Sequence, residues 1–228
     1  MNLDLDYINN IIHIDIKMIT ALTINYNTPD LLEKLLISFR QFYDTPYVVI
    51  DGSNKENYEK IKDFTDKFNI ELIHFDYNIH HGPGMAHGFN HIKTEQILLL
   101  DSDVFILKNG FVEDLQSKLR GDSYGIGDIS IIDERGVNTK EGIKYLHPSC
   151  ALINREIALQ YALPIKHGAP MVETMKDIHN KKADILQHEP WVANDLVHSL
   201  YERDNHKNNI YIVHVWSGTC GRMGGMNL

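Results

Sequence analysis

Cysteine is nearly absent from this 228-residue chain: Cys150 and Cys220 stand alone, far apart in sequence. Two such residues give neither a disulfide framework nor a Cys-x-x-Cys metal or redox pattern, so a reducing, cytoplasmic setting is expected. Basic residues are in deficit too. Lys and Arg number 22 against 31 Asp and Glu, a formal charge of −9, whereas a general nucleic-acid binder needs the opposite balance. That charge still permits a local site for one phosphorylated ligand. No window approaches 18 apolar residues, which argues against a membrane span. Met1–Lys17 also lacks the basic start and apolar stretch of a secretory signal. Repeats, low-complexity tracts and Pro/Gly/Ser linkers are missing as well. With 43% hydrophobic and 23% charged residues, the chain is long enough to bury a core without disulfide or metal staples. A single domain over 1–228 is expected.

What the chain does contain is alternation. Met18–Tyr26 reads as a buried strand, and Thr28-Pro29-Asp30 as a helix start with a hydroxyl cap, a proline in the first turn and an early acid. Leu31, Leu32, Leu35, Leu36, Phe39 and Phe42 follow at helical spacing. A strand at Tyr47–Ile50 ends in Asp51-Gly52-Ser53, and a helix then carries Tyr58, Ile61, Phe64 and Phe68. Next come a strand at Ile70–Phe75, a glycine-containing loop with a helix starting from Met85, and a strand at Ile97–Leu100. This order predicts an α/β fold with a mostly parallel central sheet flanked by helices, whose ligands bind at the carboxyl ends of the strands. The second half is less regular. Strands are expected near Gly125–Ile132, Cys150–Asn154 and Ile210–Val215, a short helix from Arg155 and a longer one over Pro190–Tyr201. Gly218–Leu228 reads as a glycine-rich tail.

The chemistry concentrates at Ile97–Phe105, ILLLDSDVF, where an apolar strand delivers Asp101-Ser102-Asp103 at its tip. Residues two apart on an extended chain share a face, and two close carboxylates call for a hard divalent cation. Asn78–Asn90, NIHHGPGMAHGFN, brings Gly82 and Gly84, which allow close backbone approach to a ligand. It matches a dinucleotide fingerprint only superficially, because it follows the third strand and holds Pro83 in the turn. Of its histidines, His87 and His91 could share a helical face and bind zinc, but no Glu lies beside His87, and solvent-facing or nucleotide-contacting roles suit His80, His81, His87 and His91 better. His214 ends a strand and enters Val215-Trp216-Ser217-Gly218-Thr219, which makes a ligand role plausible for it.

Together TINYNTPDLLEKLL (Thr23–Leu36), VVIDGSN (Val48–Asn54), NIHHGPGMAHGFN and LLLDSDVF (Leu98–Phe105) resemble glycosyltransferase family 2, with the GT-A fold. HPSCALINRE (His147–Glu156) and HVWSGT (His214–Thr219) are weaker echoes. The resemblance implies transfer of a sugar from a nucleoside-diphosphate sugar, UDP-linked by default, to a hydroxyl of a carbohydrate or glycan acceptor, with inversion. Residues 18–110 would form the donor half and 111–228 the acceptor half. It implies that Asn25, Tyr26, Asn27 and Asp51 hold the nucleoside, with Asp51 accepting a base N–H. Asn78, Gly82, Gly84 and Ser102 belong to the same donor site, the two glycines lying against the nucleotide sugar. Asp101, facing ribose or metal, and Asp103 would hold Mn²⁺ or Mg²⁺, completed by His214. The proton-accepting carboxylate is not cleanly marked: Glu173 is the first choice, with Asp177 and Asp195 as alternatives.

Three other classes compete. A sugar-nucleotide nucleotidyltransferase would open with a Gly-rich basic loop after the first strand, where this chain has NYNTPD. A dehydrogenase would bind nicotinamide without needing a metal. A non-catalytic carbohydrate- or nucleotide-binding protein would be indifferent to loss of Asp103.

Overall fold

The computed structural model describes residues 19–190 and 211–214. Its first half is a run of strand and helix: β1 (Ile19–Asn25), α1 (Pro29–Arg40), β2 (Tyr47–Asp51), α2 (Lys55–Lys67), β3 (Glu71–His74), α3 (His81–His91) and β4 (Gln96–Leu100). The strands read as continuous apolar segments because both faces of the sheet are covered. Ile19, Ala21, Tyr47, Val49, Leu98 and Leu100 pack on one side with Leu32, Leu35, Leu36 and Phe39 of α1. Leu22, Val48, Ile50, Ile97 and Leu99 pack on the other with Met85 and Phe89 of α3.

The second half comprises β5 (Val104–Ile106), α4 (Phe111–Lys118), β6 (Gly125–Ile132), β7 (Ile143–Asn154), α5 (Arg155–Ala158), α6 (Val172–Asn180), β8 (Leu186–His188) and β9 (Ile212–His214). Seven strands form one sheet in the order β3-β2-β1-β4-β7-β6-β8. The four strands of the first half are mutually parallel, β7 runs antiparallel to β4 and β6, and β8 is parallel to β6. Chain order reverses between β1 and β4, and this topological switch point opens a crevice beyond their carboxyl ends. Outside the main sheet, β5 and β9 make a two-stranded antiparallel ribbon.

Several local expectations shift. Phe42 lies beyond the end of α1 and is 38% exposed, so it is not part of the buried stripe. Thr28 occupies the cap position of α1 but makes no side-chain cap bond, because its hydroxyl is used elsewhere. α3 starts at His81 rather than Met85, with Gly82, Pro83 and Gly84 inside its first turn. Proline fits there because the first-turn N–H groups have no intrahelical acceptor. β7 begins seven residues before the expected Cys150, at Ile143. The expected helix over Pro190–Tyr201 lies, apart from Pro190, outside the described residues, as do Cys220 and the glycine-rich tail. Cys150 is buried, and burial pushes its thiol far above the ordinary range, the reverse of a reactive cysteine. Among the described residues no helix is long and apolar enough to cross a membrane.

Candidate active site

Two loops meet at the switch point. After β1, Asn25 is 2% exposed and its side-chain amide donates to Asp51 Oδ1 at 2.8 Å. Its carbonyl accepts the Thr28 hydroxyl at 2.6 Å. That hydroxyl also lies 3.4 Å from Ser102 Oγ, tying the loop after β1 to the loop after β4. Asn27 adopts a positive φ of 55°, a conformation asparagine tolerates better than most residues. Its backbone N–H donates to Ser53 Oγ at 2.7 Å, and its side chain accepts from Asn54 N and Asn57 Nδ2.

Asp51 organises this loop from beneath. It is 0% exposed and accepts four bonds: Oδ1 from Asn25 Nδ2 and Ser53 Oγ (2.6 Å), Oδ2 from Ser53 N (3.2 Å) and from His74 Nδ1 (2.9 Å). A carboxylate has about four acceptor positions. All four bonds come from within the chain, so Asp51 holds the loop after β1 in shape. Tyr58 of α2 stacks on His74 at 4.0 Å between ring centroids and fixes the imidazole.

The acidic tip of β4 is the centre of the site. Asp101 N donates to Ser149 O, and Val104 N closes the turn onto Asp101 O. Asp103 then falls at the start of β5, where the ribbon pairs Val104 with His214 of β9. This register brings a distant histidine onto the acidic pair: His214 Nε2 is 3.2 Å from Asp103 Oδ1 and 3.9 Å from Asp101 Oδ2. Ligand atoms of Asp101, Asp103 and His214 all lie within 4.8 Å of one another. Two carboxylate oxygens and one imidazole nitrogen suit Mn²⁺ or Mg²⁺ better than soft thiophilic ions, so the residues present fit such a metal.

Two further histidines border Asp101: His81, read from the sequence only as solvent-facing or nucleotide-contacting, and His147, given no role there. His81 Nε2 lies 3.3 Å from Asp101 Oδ1, and the His147 ring stands 6.3 Å from that of His214. Burial alone would raise the Asp101 carboxyl. The hydrogen bond from His81 and the charges of His81, His214 and His147 more than offset it, holding the group at about 2. His80 and His167 continue the histidine rim with ring centroids 5.3 Å apart, and burial together with His80 and His81 lowers the His167 imidazole. The sequence signal was present in HHG at the start of α3 and HPS within β7.

Asp101 opens into a cleft of about 770 Å³ whose walls include His81, Asp128, Ser130, Tyr145, His147 and His167. Neither described base candidate lines it. Glu173, in the first turn of α6, pairs with Lys166 at 2.9 Å and Lys176 at 3.2 Å, and hydrogen bonds from both hold its carboxyl low. Asp177 accepts from Ala162 N and Lys181 Nζ, which lowers it likewise. Asp195 lies outside the described residues. Gly82 and Gly84 are packed against protein: a Cβ on Gly82 would meet Lys166 N and O at 2.5 Å, and one on Gly84 would meet Ile24 Cγ2 at 2.7 Å. His87 and His91 stack on each other, His91 bonding Glu71 at 2.7 Å, away from the acidic centre. Asn78 accepts the His80 N–H at the entry to α3.

Solved structures share this fold at low identity. A mannosyltransferase from Pyrobaculum calidifontis, in complex with GDP-mannose and Mn²⁺, aligns with a TM-score of 0.55 at 12% identity, over 75% of this chain and 56% of that one. The glucosyl-3-phosphoglycerate synthase from Mycobacterium tuberculosis, in complex with Mn²⁺, UDP-glucose and phosphoglyceric acid, gives 0.55 at 13% identity, over 75% and 68%. The galactosyltransferase LgtC, in complex with donor and acceptor sugar analogs, gives 0.56 at 14% identity over 86% of each chain. The chain thus spans little more than half the length of the mannosyltransferase. No curated protein matches it by sequence. The family profile described as glycosyl transferase family 2 does match, over residues 20–172. With more than half its length matched, the chain belongs to glycosyl transferase family 2.

Proposed function

We propose that the protein transfers a sugar from a nucleoside-diphosphate sugar, UDP-linked by preference, to a hydroxyl of a carbohydrate acceptor, inverting the anomeric centre. The observation that carries this reading is the convergence of Asp101, Asp103 and His214 beside the switch-point crevice. In it, the half of the chain over 18–110 binds the donor and the half over 111–228 the acceptor. The loop Asn25-Tyr26-Asn27 receives the nucleoside, held in shape by Asp51 and Ser53. Ser102, joined to that loop through Thr28, borders the diphosphate, and Asn78, Gly82 and Gly84 set the backbone at the mouth of α3 beside it. Asp101, Asp103 and His214 hold Mn²⁺ or Mg²⁺. Such an ion, when bound, offsets the negative charge that accumulates on the leaving diphosphate. The acidic surface is compatible with this because attraction for the diphosphate is local, with His81 and His147 adding donors at the rim.

Incubation with UDP-, GDP- and dTDP-sugars, Mn²⁺ and a glycan array tests the reading. Release of one nucleoside diphosphate with a matching mass gain on an acceptor is expected. Failure to bind or turn over any sugar nucleotide overturns it.

A further inference from the structure

β1 and β4 lie side by side, but their backbone pairing stops short of the site. They pair from Ile19 and Gln96 to Leu22 and Leu99, whereas β1 stays paired with β2 as far as Asn25 and Asp51. Past Leu22, side chains take over the join to β4. The Thr23 hydroxyl donates to Leu100 O at 2.8 Å, and further along the Thr28 and Ser102 hydroxyls stand 3.4 Å apart. The tips of β1, β2 and β3 are tied to each other by backbone bonds instead, Gly52 N to Asn25 O at 3.1 Å and Phe75 N to Asp51 O at 2.8 Å. The switch-point crevice therefore separates the proposed donor site into a nucleoside side, carried by the first three strands, and a metal side, carried by the loop after β4.

The bridge between the two sides is buried, and its bonds have a fixed direction. Thr28, Asn25 and Ser102 are 3%, 2% and 5% exposed. The Thr28 proton goes to Asn25 Oδ1 at 2.6 Å, so the bond between the two hydroxyls is donated by Ser102 to the Thr28 oxygen. Asn25 in turn donates to Asp51 Oδ1 at 2.8 Å. The chain Ser102–Thr28–Asn25–Asp51 thus runs from between the two acids of the metal side to the floor of the nucleoside loop. Thr28 is also held at its backbone, where its carbonyl accepts Leu32 N at 3.1 Å in the first turn of α1. A hydroxyl anchored in this way fixes the spacing of the two loops it joins.

We propose that Thr28 is a positioning residue: through Ser102 it sets the span between the nucleoside loop and the metal loop, so that one nucleoside diphosphate reaches both. This rests on the transferase reading above. A nucleoside diphosphate with its metal touches both sides at once, while Mn²⁺ alone needs only one. Breaking the bridge therefore weakens the first and spares the second.

In the test, isothermal titration measures binding of UDP, GDP and dTDP to the whole chain in Mn²⁺, and electron paramagnetic resonance measures binding of Mn²⁺ alone. Thr28→Val and Ser102→Ala should each weaken binding of the preferred nucleotide about 3- to 10-fold, the range for one neutral hydrogen bond. The double variant should bind no more weakly than Thr28→Val, because the bond between the hydroxyls is lost only once. Thr28→Ser should bind like wild type, and Mn²⁺ alone should bind every variant within about twofold of wild type. Ser102→Ala keeps the Thr28 bond to Asn25, so it reads the bridge with the nucleoside loop otherwise intact. Losses that add in the double variant overturn the proposal, because the two hydroxyls then act separately. Unchanged nucleotide affinity with a lowered melting temperature overturns it as well, leaving Thr28 a structural residue. Weakened binding of Mn²⁺ alone also overturns it, because Ser102 then shapes the metal ligands and not the span. These three results leave the transferase reading intact, whereas absence of nucleotide binding by the wild type overturns both.

Discussion

Asp51→Asn is the sharpest probe of how the donor loop is held, because the substitution keeps size and shape while removing charge and one acceptor. Asp51 is fully buried and accepts from Asn25, twice from Ser53, and from His74. If the new NH₂ replaces Oδ1, it opposes the Asn25 amide, which cannot flip without giving up the Thr28 hydroxyl at 2.6 Å. If it replaces Oδ2, the His74 ring can change tautomer but the Ser53 backbone N–H cannot. Either orientation strands one buried donor, at about 1–3 kcal/mol, and weakens the other bonds by removing the charge that assisted them. The sum is about 3 kcal/mol. For a chain of this size, about 2–4 °C per kcal/mol converts that into a melting temperature lower by about 6–12 °C. Thermal melting and urea titration of metal-free protein read the shift. Donor affinity should fall with it, since Asn27 hangs from Ser53, while Mn²⁺ affinity should not. A shift under about 2 °C would refute the reasoning, because the four bonds would then contribute little.

Three other outcomes follow from the same structure. The Asp101 carboxyl, held at about 2 against an ordinary 3.8, contributes stability that is present above the ordinary value and lost as pH falls through it towards 2. Urea titrations between pH 4 and pH 2 should therefore show a shallower acid loss in Asp101→Asn, and parallel curves would contradict this. Gly82→Ala drives a Cβ into the Lys166 backbone and should destabilise by about 1–3 kcal/mol, read by urea unfolding. Gly121→Ala, with nothing within 4 Å of its Cβ, should stay within about 1 kcal/mol of wild type, so equal effects at the two glycines would refute the packing argument.

The strands of the first half were legible because both faces of the sheet are covered, which leaves long apolar runs such as ITALTIN and QILLL. Asp101 and Asp103 were legible for the same reason, since an apolar strand running into acids delivers them at its carboxyl edge. Other features depend on partners far away in sequence. The bonds that hold Asp51 come from Asn25 and His74, on the neighbouring strands, and no local pattern announces them. Thr28 has the residue type of a helix cap, yet its hydroxyl serves Asn25 and Ser102. The start of α3 was hidden by Gly82-Pro83-Gly84, residues typical of a turn that are equally suited to a first helical turn packed against Ile24 and Lys166.

The central claim is that Asp101, Asp103 and His214 hold the ion on which donor binding depends. Isothermal titration of UDP- and GDP-sugars into wild-type and Asp103→Ala protein, with Mn²⁺ and with EDTA, tests it most directly. The account predicts binding of one sugar nucleotide in Mn²⁺, lost both in EDTA and in Asp103→Ala. Equal affinity with and without the metal, unaffected by the substitution, would contradict it.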